Sequence, residues 1–379
     1  MTKSEVAFSR PSLGIEEEQA VLDALRSGWI VGGRYLQELE RQFAARCGTT
    51  DAVGMSSWTT AAFLVLQSWG IGPGDEVIVP SLTFIASVNV IRHVGATPVF
   101  ADIDPKTWNI SPEDVERRIT PRTRALLPVD QIGMPCDLPA FAAIAAKHGL
   151  RLLDDAACAF GSTLHGKPVG SWGDAAVFSL HARKIITTGE GGMVVTNDRA
   201  LAERLRRQRH QGMSLSDFAR HGARPSAFES YDEIGYNFRI TDVQAAIGVA
   251  QVSKLDAILS QRKILADRYT AALRHSALVA PPFVPSDAQP NWQSYQVMLR
   301  DGVQTSQKDV LDALFERGIQ ARRGVMPSHL EKPYAGTGRD LPVTERVAAR
   351  TVQLPLHPSL TFDEQDRVIE ALEEITPRT

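Results

Sequence analysis

Residues 175–196 read AAVFSLHARKIITTGEGGMVVT, and this stretch decides the fold of the chain. Two short apolar runs, Ala175–Ser179 and Met193–Thr196, have the pattern of buried strands. Between them lie Lys184 and a glycine-rich turn, TGEGG, which leads the chain into the second strand. Ligands of open α/β sheets bind beyond the carboxyl ends of the strands, so Lys184 is a candidate site residue.

Upstream of this stretch, short apolar strands alternate with helical segments. The predicted strands are Glu76–Val79, Thr97–Ala101, Arg124–Val129 and Leu150–Asp154. The predicted helices are Ile15–Arg26 (capped by Ser12 and stopped by Gly28), Ala61–Trp69, Ser87–His93, a helix capped by Ser111, Leu138–His148 and Arg199–Arg209. Such alternation is typical of an α/β fold with a mostly parallel sheet that is covered by helices on both faces.

Downstream, a single helical pattern covers Thr241–His275 and is followed by the proline-rich segment Ala280–Pro290. The remaining pattern predicts a strand over Ser294–Leu299, a helix over Gln307–Arg317, a strand over Ile319–Arg323 and two more helices. We therefore expect a large domain, residues 1–250, and a smaller α+β domain, residues 251–379, that begins with the linking helix.

The composition narrows the class of protein. The 41 Lys and Arg residues nearly balance the 44 Asp and Glu residues, which argues against a nucleic-acid or anionic-membrane binder. Cys47, Cys136 and Cys158 are too few and too scattered to predict a disulfide framework or a zinc site. No apolar run approaches the length of a membrane helix or a signal core, so we expect a soluble cytoplasmic protein without a metal.

Motifs for several enzyme classes are missing from the sequence. No GxxxxGK[ST] loop, no GxGxxG after a strand and no GxSxG elbow is present. The strand ends instead carry a hydroxyl-rich turn over residues 57–60, two acids at the end of LRLLDD, and Ser179 shortly before Lys184.

Together these groups match the chemistry of pyridoxal phosphate. Thr59, Thr60 and Ser179 offer hydroxyls and a helix N-terminus for the phosphate. Asp155 can keep the ring nitrogen protonated, and Lys184 can form a Schiff base with the aldehyde. Phe84, in the turn after a strand, offers an aromatic face for the ring.

Each group also has an ordinary structural interpretation. Hydroxyls before a helix are often only N-caps, an Asp after a strand is usually a turn residue, and most lysines are solvated. Asp154 is a near-equal rival of Asp155. Lys184 is distinctive because it alone among the lysines lies between a strand-end serine and a glycine-rich turn.

The sequence resembles one known family nearly from end to end. The matching segments are RPSLGIEEEQAVLDALRSGWIVGG, GIGPGDEVIVPSLTFIAS, GATPVFADIDP, LLDDAACAFGS, FSLHARKIITTGEGGMVVTND, GYNFRITDVQAAIG and LPLHPSL. They are similar to the sugar aminotransferases of the DegT/DnrJ/EryC1/StrS type, which are fold-type-I enzymes dependent on pyridoxal phosphate.

The resemblance implies roles for individual residues. Lys184 looks like the lysine that holds the cofactor and shuttles the proton, and Asp155 like the acid at the ring nitrogen. Phe84 matches the stacked aromatic, while Ser179, Thr59 and Thr60 match the phosphate cup. Asn237, in GYNFR, matches a residue that reaches the neighbouring subunit's cofactor, which implies a homodimer with shared sites.

Two residues depart from the family pattern. Trp58 replaces the glycine of the usual S-G-T-A turn; its indole either turns outward into the active-site mouth, reshapes the phosphate cup, or packs against the dimer partner. Cys158 replaces the Gln or His that contacts the cofactor's ring oxygen, and because a thiol is a weak donor we expect that contact to be lost or supplied by water. Retention of Lys184 argues against the dehydratase branch, which has His there.

Several other residues are candidates for substrate contact. His181 is a proton-transfer or a loop-shaping residue, and Arg239 is an anion contact or part of an ion pair. Arg322 and Arg323 are expected to face the cleft and bind an anion, and His329 lies in the same segment.

The function expected from these features is transamination. L-glutamate or L-glutamine donates an amino group, and a keto-sugar, nucleotide-linked or not, or a cyclitol accepts it, with Lys184 as general acid and base. The alternatives are another cofactor-dependent reaction, elimination or carbon–carbon bond formation on an unusual substrate admitted by Trp58, and a non-catalytic sensor that binds the cofactor.

Overall fold

The computed structural model describes residues 5–215, 220 and 228–375. Its helices are α1 (Ile15–Arg26), α2 (Arg34–Cys47), α3 (Trp58–Ser68), α4 (Ala86–His93), α5 (Pro112–Arg118), α6 (Leu138–His148), α7 (Arg199–Gln208), α8 (Asp242–Ser253), α9 (Leu255–Leu273), α10 (Gln307–Glu316), α11 (Pro342–Arg350) and α12 (Phe362–Glu374). Its strands are β1 (Asp51–Met55), β2 (Glu76–Pro80), β3 (Thr97–Ala101), β4 (Thr123–Leu126), β5 (Arg151–Asp155), β6 (Thr163–Leu164), β7 (Lys167–Pro168), β8 (Ala175–Ser179), β9 (Gly192–Thr196), β10 (Val279–Ala280), β11 (Ala288–Gln289), β12 (Tyr295–Leu299), β13 (Arg322–Arg323) and β14 (Thr351–Leu354).

The larger sheet has seven strands in the order β1-β9-β8-β5-β4-β2-β3. Neighbours from β8 to β3 are parallel, and β9 runs antiparallel to both β1 and β8. The predicted mixed, mostly parallel sheet is therefore confirmed. Because β2, β5 and β8 are parallel, the residues that follow them gather at one edge of the sheet.

Helices cover both faces of this sheet, because side chains along a strand alternate between its faces. In β2, Val77 and Val79 pack in one apolar cluster with α3, whereas Ile78 packs in a second cluster with α2 and α6. A strand buried on both faces reads as a continuous apolar run, which is the pattern that made these strands recognisable in the sequence.

The C-terminal part contains a second sheet of four antiparallel strands in the order β10-β12-β14-β13. Tyr269 of α9 and Leu314 of α10 pack in its core. Val6 pairs with Ile319 and is buried in the same core, although we placed the N-terminal segment in the larger domain. The boundary at residue 250 stays a prediction. Every helix in the described ranges is too short or too polar to span a lipid bilayer.

Two predicted helix features are wrong. The pattern over Thr241–His275 forms two helices, α8 and α9, that meet at Lys254. The Lys254 ammonium lies 2.6 Å from the Glu17 carboxylate of α1, which holds the end of α8 against the larger domain while α9 continues into the smaller core. Ser12 does not cap α1, which begins after Gly14; the Ser12 carbonyl instead accepts hydrogen bonds from Gln251 and Lys254.

The sequence pattern also missed elements near the site. Neither α2 nor β1 was predicted, and α3 begins at Trp58 rather than at Ala61. The earlier start matters because it places the hydroxyl-rich turn in the first turn of the helix, where backbone N–H groups lack helical partners.

Candidate active site

The N-terminus of α3 lies at the sheet edge where β8 and β9 turn. Ser57 is its N-cap: the Ser57 hydroxyl accepts a hydrogen bond from the Thr60 amide at 3.1 Å. A Cβ atom on Gly192 would lie only 2.3 Å from the Ser57 carbonyl oxygen, so the glycine-rich turn is what lets the helix end approach β9 this closely.

The hydroxyls of this turn are not equivalent. The Thr60 hydroxyl donates to the Ser57 carbonyl at 2.9 Å and is thus engaged in the helix cap. Within the described residues, the half-buried Thr59 hydroxyl has no hydrogen-bond partner. Ser179, at the end of β8, has only a long contact of 3.4 Å from the His181 amide. Of the predicted phosphate ligands, Thr59 and Ser179 are therefore available and the Thr60 hydroxyl is already occupied.

The structure excludes two of the three sequence-based alternatives for Trp58, an indole in the active-site mouth and an indole against a dimer partner. Its side chain is 6% exposed and packs in the apolar cluster with α3, neither at the mouth of the site nor on the outer surface. The indole N–H donates to the Val177 carbonyl of β8 at 3.0 Å. The predicted substrate contact of Trp58 is therefore wrong.

Asp155 ends β5 as a buried acid with defined partners. Its side chain accepts hydrogen bonds from the Ser87 hydroxyl at 2.6 Å and from the Ala157 amide at 3.1 Å. Burial raises the pKa of Asp155 to about 6, and the hydrogen bonds and the Lys184 charge oppose that rise. An acid with this pKa can keep a proton on a basic ring nitrogen beside it.

The structure separates Asp155 from its rival Asp154. Adjacent residues of a strand face opposite sides of the sheet, and the charge of Lys184 acts on Asp155. Asp154 is fully buried next to Asp130 and Cys136, with the ligand atoms of all three within 4.8 Å of one another. Burial, followed by the charge of Asp130, raises the pKa of Asp154 well above its usual value, so Asp154 retains its proton where an ordinary carboxyl group would lose it.

This buried cluster was not foreseen, because the three cysteines had looked too scattered for any joint site. The tertiary fold brings Cys136 to the acid pair, and the Cys136 amide donates to the Asp130 carboxylate at 2.8 Å. Ser87 was also missed as a partner of Asp155; its position as the second residue of α4 gave no local signal.

Lys184 lies half-buried in the loop after β8. Its ammonium nitrogen Nζ lies 3.1 Å from the Cys158 sulphur, and its amide donates to the His181 carbonyl at 2.9 Å. Cys158 is thus beside the lysine, and its expected position at the cofactor's ring oxygen stays a prediction. His181 shapes the loop: its Nδ1 accepts from the Arg183 amide at 3.2 Å.

Phe84 and Asn237 project from the surface near the site. Phe84 is 64% exposed in the turn after β2, an unusual position for a large apolar side chain. Asn237 is exposed as well, while its neighbour Arg239 contacts Nδ1 of His210 at 2.7 Å. The exposure of Phe84 and Asn237 is compatible with contacts to a ligand or a second subunit.

The predicted substrate residues of the smaller domain differ in their environment. Arg322 and Arg323 are exposed; Arg322 lies over the Phe8 ring at 5.6 Å and Arg323 is 3.7 Å from Glu331. His329 is 4% exposed, with its two ring nitrogens at 2.6 Å from the Ser81 hydroxyl and 3.2 Å from Glu345. Both ring nitrogens of His329 are occupied, which contradicts the predicted substrate contact.

The fold and the edge site define an aminotransferase of the α/β class. The sequence model of the DegT/DnrJ/EryC1/StrS aminotransferase family matches residues 11–373. The chain belongs to this family.

Individual relatives match this chain over nearly its full length. The chain is 40% identical over 373 residues to GDP-perosamine synthase from Caulobacter vibrioides, covering 98% of each protein. It superposes on DesV of S. venezuelae, solved with a ketimine intermediate, with a TM-score of 0.90, 35% identity and full coverage of both chains. A Streptococcus pneumoniae protein described as a sugar aminotransferase, solved in its PLP form, gives a TM-score of 0.91 at 29% identity, covering 97% of this chain and 98% of the other.

The residues at the sheet edge fit the cofactor that this family implies. The Thr59 hydroxyl, which has no hydrogen-bond partner in the described part of the chain, lies in the first turn of a helix, which suits a phosphate. A buried carboxyl group, Asp155, and a lysine, Lys184, lie at the ends of neighbouring strands, which suits a ring nitrogen and an aldehyde.

Proposed function

We propose that this protein transfers an amino group from L-glutamate or L-glutamine to a keto-sugar, nucleotide-linked or not, or to a cyclitol, with pyridoxal phosphate held by Lys184 as a Schiff base. The observation that carries the proposal is that Lys184 and the buried Asp155 follow neighbouring parallel strands at one edge of the sheet, with the lysine charge close enough to lower the pKa of Asp155.

Each end of the cofactor has a proposed binding group. The N-terminus of α3, with the Thr59 hydroxyl, binds the phosphate together with Ser179. Asp155 holds a proton on the ring nitrogen, and the exposed Phe84 ring covers one face. When bound, the cofactor supplies an electron sink for the substrate carbon.

Lys184 has a second role in this proposal. Its Nζ takes the proton from the donor carbon in one half-reaction and returns a proton to the acceptor carbon in the other. The nearest side-chain contact of that nitrogen, the Cys158 thiol at 3.1 Å, is too weak a hydrogen-bond partner to hold the amine rigidly. The amine is therefore free to turn toward either substrate.

The acceptor is proposed from the relatives. The name of GDP-perosamine synthase states a product that is an amino sugar linked to a nucleoside diphosphate. We infer that a GDP-linked keto-sugar is the first acceptor to examine. The exposed Arg322 and Arg323 remain candidates for the diphosphate, because a guanidinium pairs well with phosphate oxygens.

Borohydride reduction followed by peptide mapping tests the covalent step. After reduction of the protein with bound pyridoxal phosphate, we expect the pyridoxyl group on Lys184, and incubation with L-glutamate plus a GDP-linked keto-sugar should give the amino sugar nucleotide. Lys184→Ala should abolish both results, whereas Lys263→Ala, at an exposed pair with Asp267, should change neither. An adduct on another lysine, or none, would refute the proposal.

A homodimer with shared sites is part of the proposal. The exposed Asn237 is proposed to reach the phosphate of the partner subunit's cofactor. Mixed dimers test this directly. If Lys184→Ala and Asn237→Ala subunits are inactive alone, their hybrid has one site with both residues intact and should recover activity. No recovery, in a mixture shown by mass spectrometry to exchange subunits, would argue against shared sites.

The other candidate reactions have no specific support. Elimination or carbon–carbon bond formation was considered because Trp58 seemed to open the site to an unusual substrate, but Trp58 is buried inside the subunit. The presence of both Lys184 and Asp155 gives no support to the hypothesis of a non-catalytic sensor.

A further inference from the structure

Trp58 is a bulky residue in the first turn of α3, at a point where the backbone closely approaches the glycine-rich turn. A residue of this size could have disrupted the turn. Instead its ring points away from the solvent and fills the apolar cluster between α3 and the sheet. Its polar atom is satisfied as well, since the indole N–H donates to the Val177 carbonyl at 3.0 Å.

The partner of this hydrogen bond connects the two ends of the site. Val177 lies in β8, and in the parallel pairing of β5 with β8 it is opposite Asp155. The indole therefore extends from the helix end that carries Thr59 to the β8 residue that lies opposite Asp155. One side chain links the hydroxyl proposed for the phosphate to the acid proposed for the ring nitrogen.

Trp58 also acts on Asp155 through space. The indole N–H donates its direct hydrogen bond to Val177, and it is also close enough to lower the pKa of Asp155. Ser87, the Ala157 amide and Lys184 lower this pKa as well. Burial is the larger effect and raises the pKa of Asp155. A buried carboxylate has few donors to replace one that is lost.

We propose that Trp58 is a positioning residue of the active site: its indole ties the phosphate-facing end of α3 to β8 at Val177, the residue paired with Asp155, and holds its N–H close to the Asp155 carboxyl group. This inference rests on the proposed function, in which pyridoxal phosphate spans the distance between the N-terminus of α3 and Asp155. It assigns to Trp58 a role inside the subunit, with no contact to the substrate.

Two variants separate the N–H from the packing. Trp58→Phe removes the N–H and part of the ring, and replacement of Trp58 by benzothienylalanine keeps the bicyclic shape but replaces the N–H by sulphur. The matched control is Trp69→Phe at the other end of α3, because the Trp69 N–H has no partner among the described residues and its loss should cost little. Variants that unfold are excluded by thermal melting before binding is measured.

The measurement is the dissociation constant of pyridoxal phosphate across the pH range 5 to 9, by absorbance titration of the cofactor-free protein. The direct hydrogen bond that is lost is to a neutral carbonyl, so binding should weaken by about 3- to 10-fold. In both Trp58 variants we expect the acid limb of the binding profile, which reports ionisation of Asp155, to move to higher pH. Trp69→Phe should follow the wild type in both respects.

The possible outcomes test the role of Trp58 and the proposed function separately. The inference is overturned if the binding profile of the benzothienylalanine protein coincides with that of the wild type. It is also overturned if affinity falls at all pH values without a shift of the acid limb, because that pattern means that Trp58 acts only through packing. If Trp58→Phe fails to fold, the benzothienylalanine protein still decides. A wild type that gives no borohydride adduct on Lys184 refutes the proposed function itself, and an adduct with unshifted variants refutes only the role of Trp58.

Discussion

The Lys184 ammonium nitrogen lies 3.1 Å from the Cys158 sulphur, at the edge where the parallel strands of the larger sheet end. The nitrogen belongs to the residue proposed to hold the cofactor, and the sulphur to a residue that departs from the family pattern. Because a thiol accepts hydrogen bonds weakly, this contact orients the amine without restraining it. The thiol is also a chemical probe of the site.

Alkylation should distinguish Cys158 from the other two cysteines. Cys47 and Cys136 are buried, and burial raises the pKa of both thiols, whereas Cys158 is half-buried. Iodoacetamide should therefore modify Cys158 at least about tenfold faster, since the thiolate is the reactive form. Bound pyridoxal phosphate should slow the reaction by covering the site, and Cys158→Ser should remove the fast phase. Equal rates for all three thiols, read by mass spectrometry, would contradict the described burial.

Ser87 should control the protonation of Asp155. The Ser87 hydroxyl donates to Asp155 at 2.6 Å, so Ser87→Ala should raise the pKa of Asp155 further above about 6. The acid limb of the kcat/KM profile should then move to higher pH, with about tenfold lower kcat/KM near pH 6, because a hydrogen bond to a charged group is lost. Ser87→Thr keeps the hydroxyl and should restore the profile, and Ser253→Ala at an exposed helix end should have no effect. An unshifted profile in Ser87→Ala would rule out this role.

Loss of the Phe84 ring should weaken cofactor binding without lowering the stability of the fold. It is 64% exposed, so Phe84→Ala removes little buried apolar surface, and the melting temperature of the cofactor-free protein should stay the same. If the ring stacks on the cofactor, the affinity for pyridoxal phosphate should fall about 3- to 10-fold. Phe315→Ala, at a residue of the smaller domain that is 74% exposed, is the matched control and should leave affinity unchanged. Equal affinities for the two variants would exclude the stacking role.

The acid pair should make the folded protein less stable as the pH rises. Burial raises the pKa of Asp130 to about 7, and it also raises that of Asp154 above the ordinary value of 3.8. Between pH 4 and pH 7 the unfolded chain releases protons that the folded protein retains. The free energy of unfolding therefore falls with pH, by about 1.4 kcal/mol per pH unit for each retained proton.

Asp154→Asn tests this pH dependence, because an amide can donate to Asp130 without ionising. Urea unfolding of the cofactor-free variant should show a shallower fall between pH 5 and pH 8 than the wild type, and a higher stability at pH 8. The control Asp301→Asn alters an exposed pair with Arg346 and should keep the wild-type slope. A wild-type stability that increases with pH over this range would refute proton retention by Asp130 and Asp154.

The local pattern of the sequence was enough to predict most of the fold. Strands buried on both faces are apolar runs, and helices are bounded by caps and glycines, so the alternation around the larger sheet could be recognised. Lys184 was recognisable because a strand-end serine and a glycine-rich turn flank it within a few residues. By contrast, α2 and β1 were missed, and the junction at Lys254 was not foreseen because it depends on a contact with Glu17, far away in the chain.

The order of residues along the chain determined which groups could do the chemistry: a lysine, two neighbouring acids and a hydroxyl-rich turn at the ends of strands. Only the tertiary structure decided which acid is near Lys184. Successive side chains of a strand point to opposite faces of the sheet, and the order of residues alone does not show which face each one occupies. It also decided that Trp58 turns inward to Val177 and that Ser87 reaches Asp155 across 68 positions of sequence. Such contacts join segments that are brought together by strand pairing and burial, and these are properties of the folded chain.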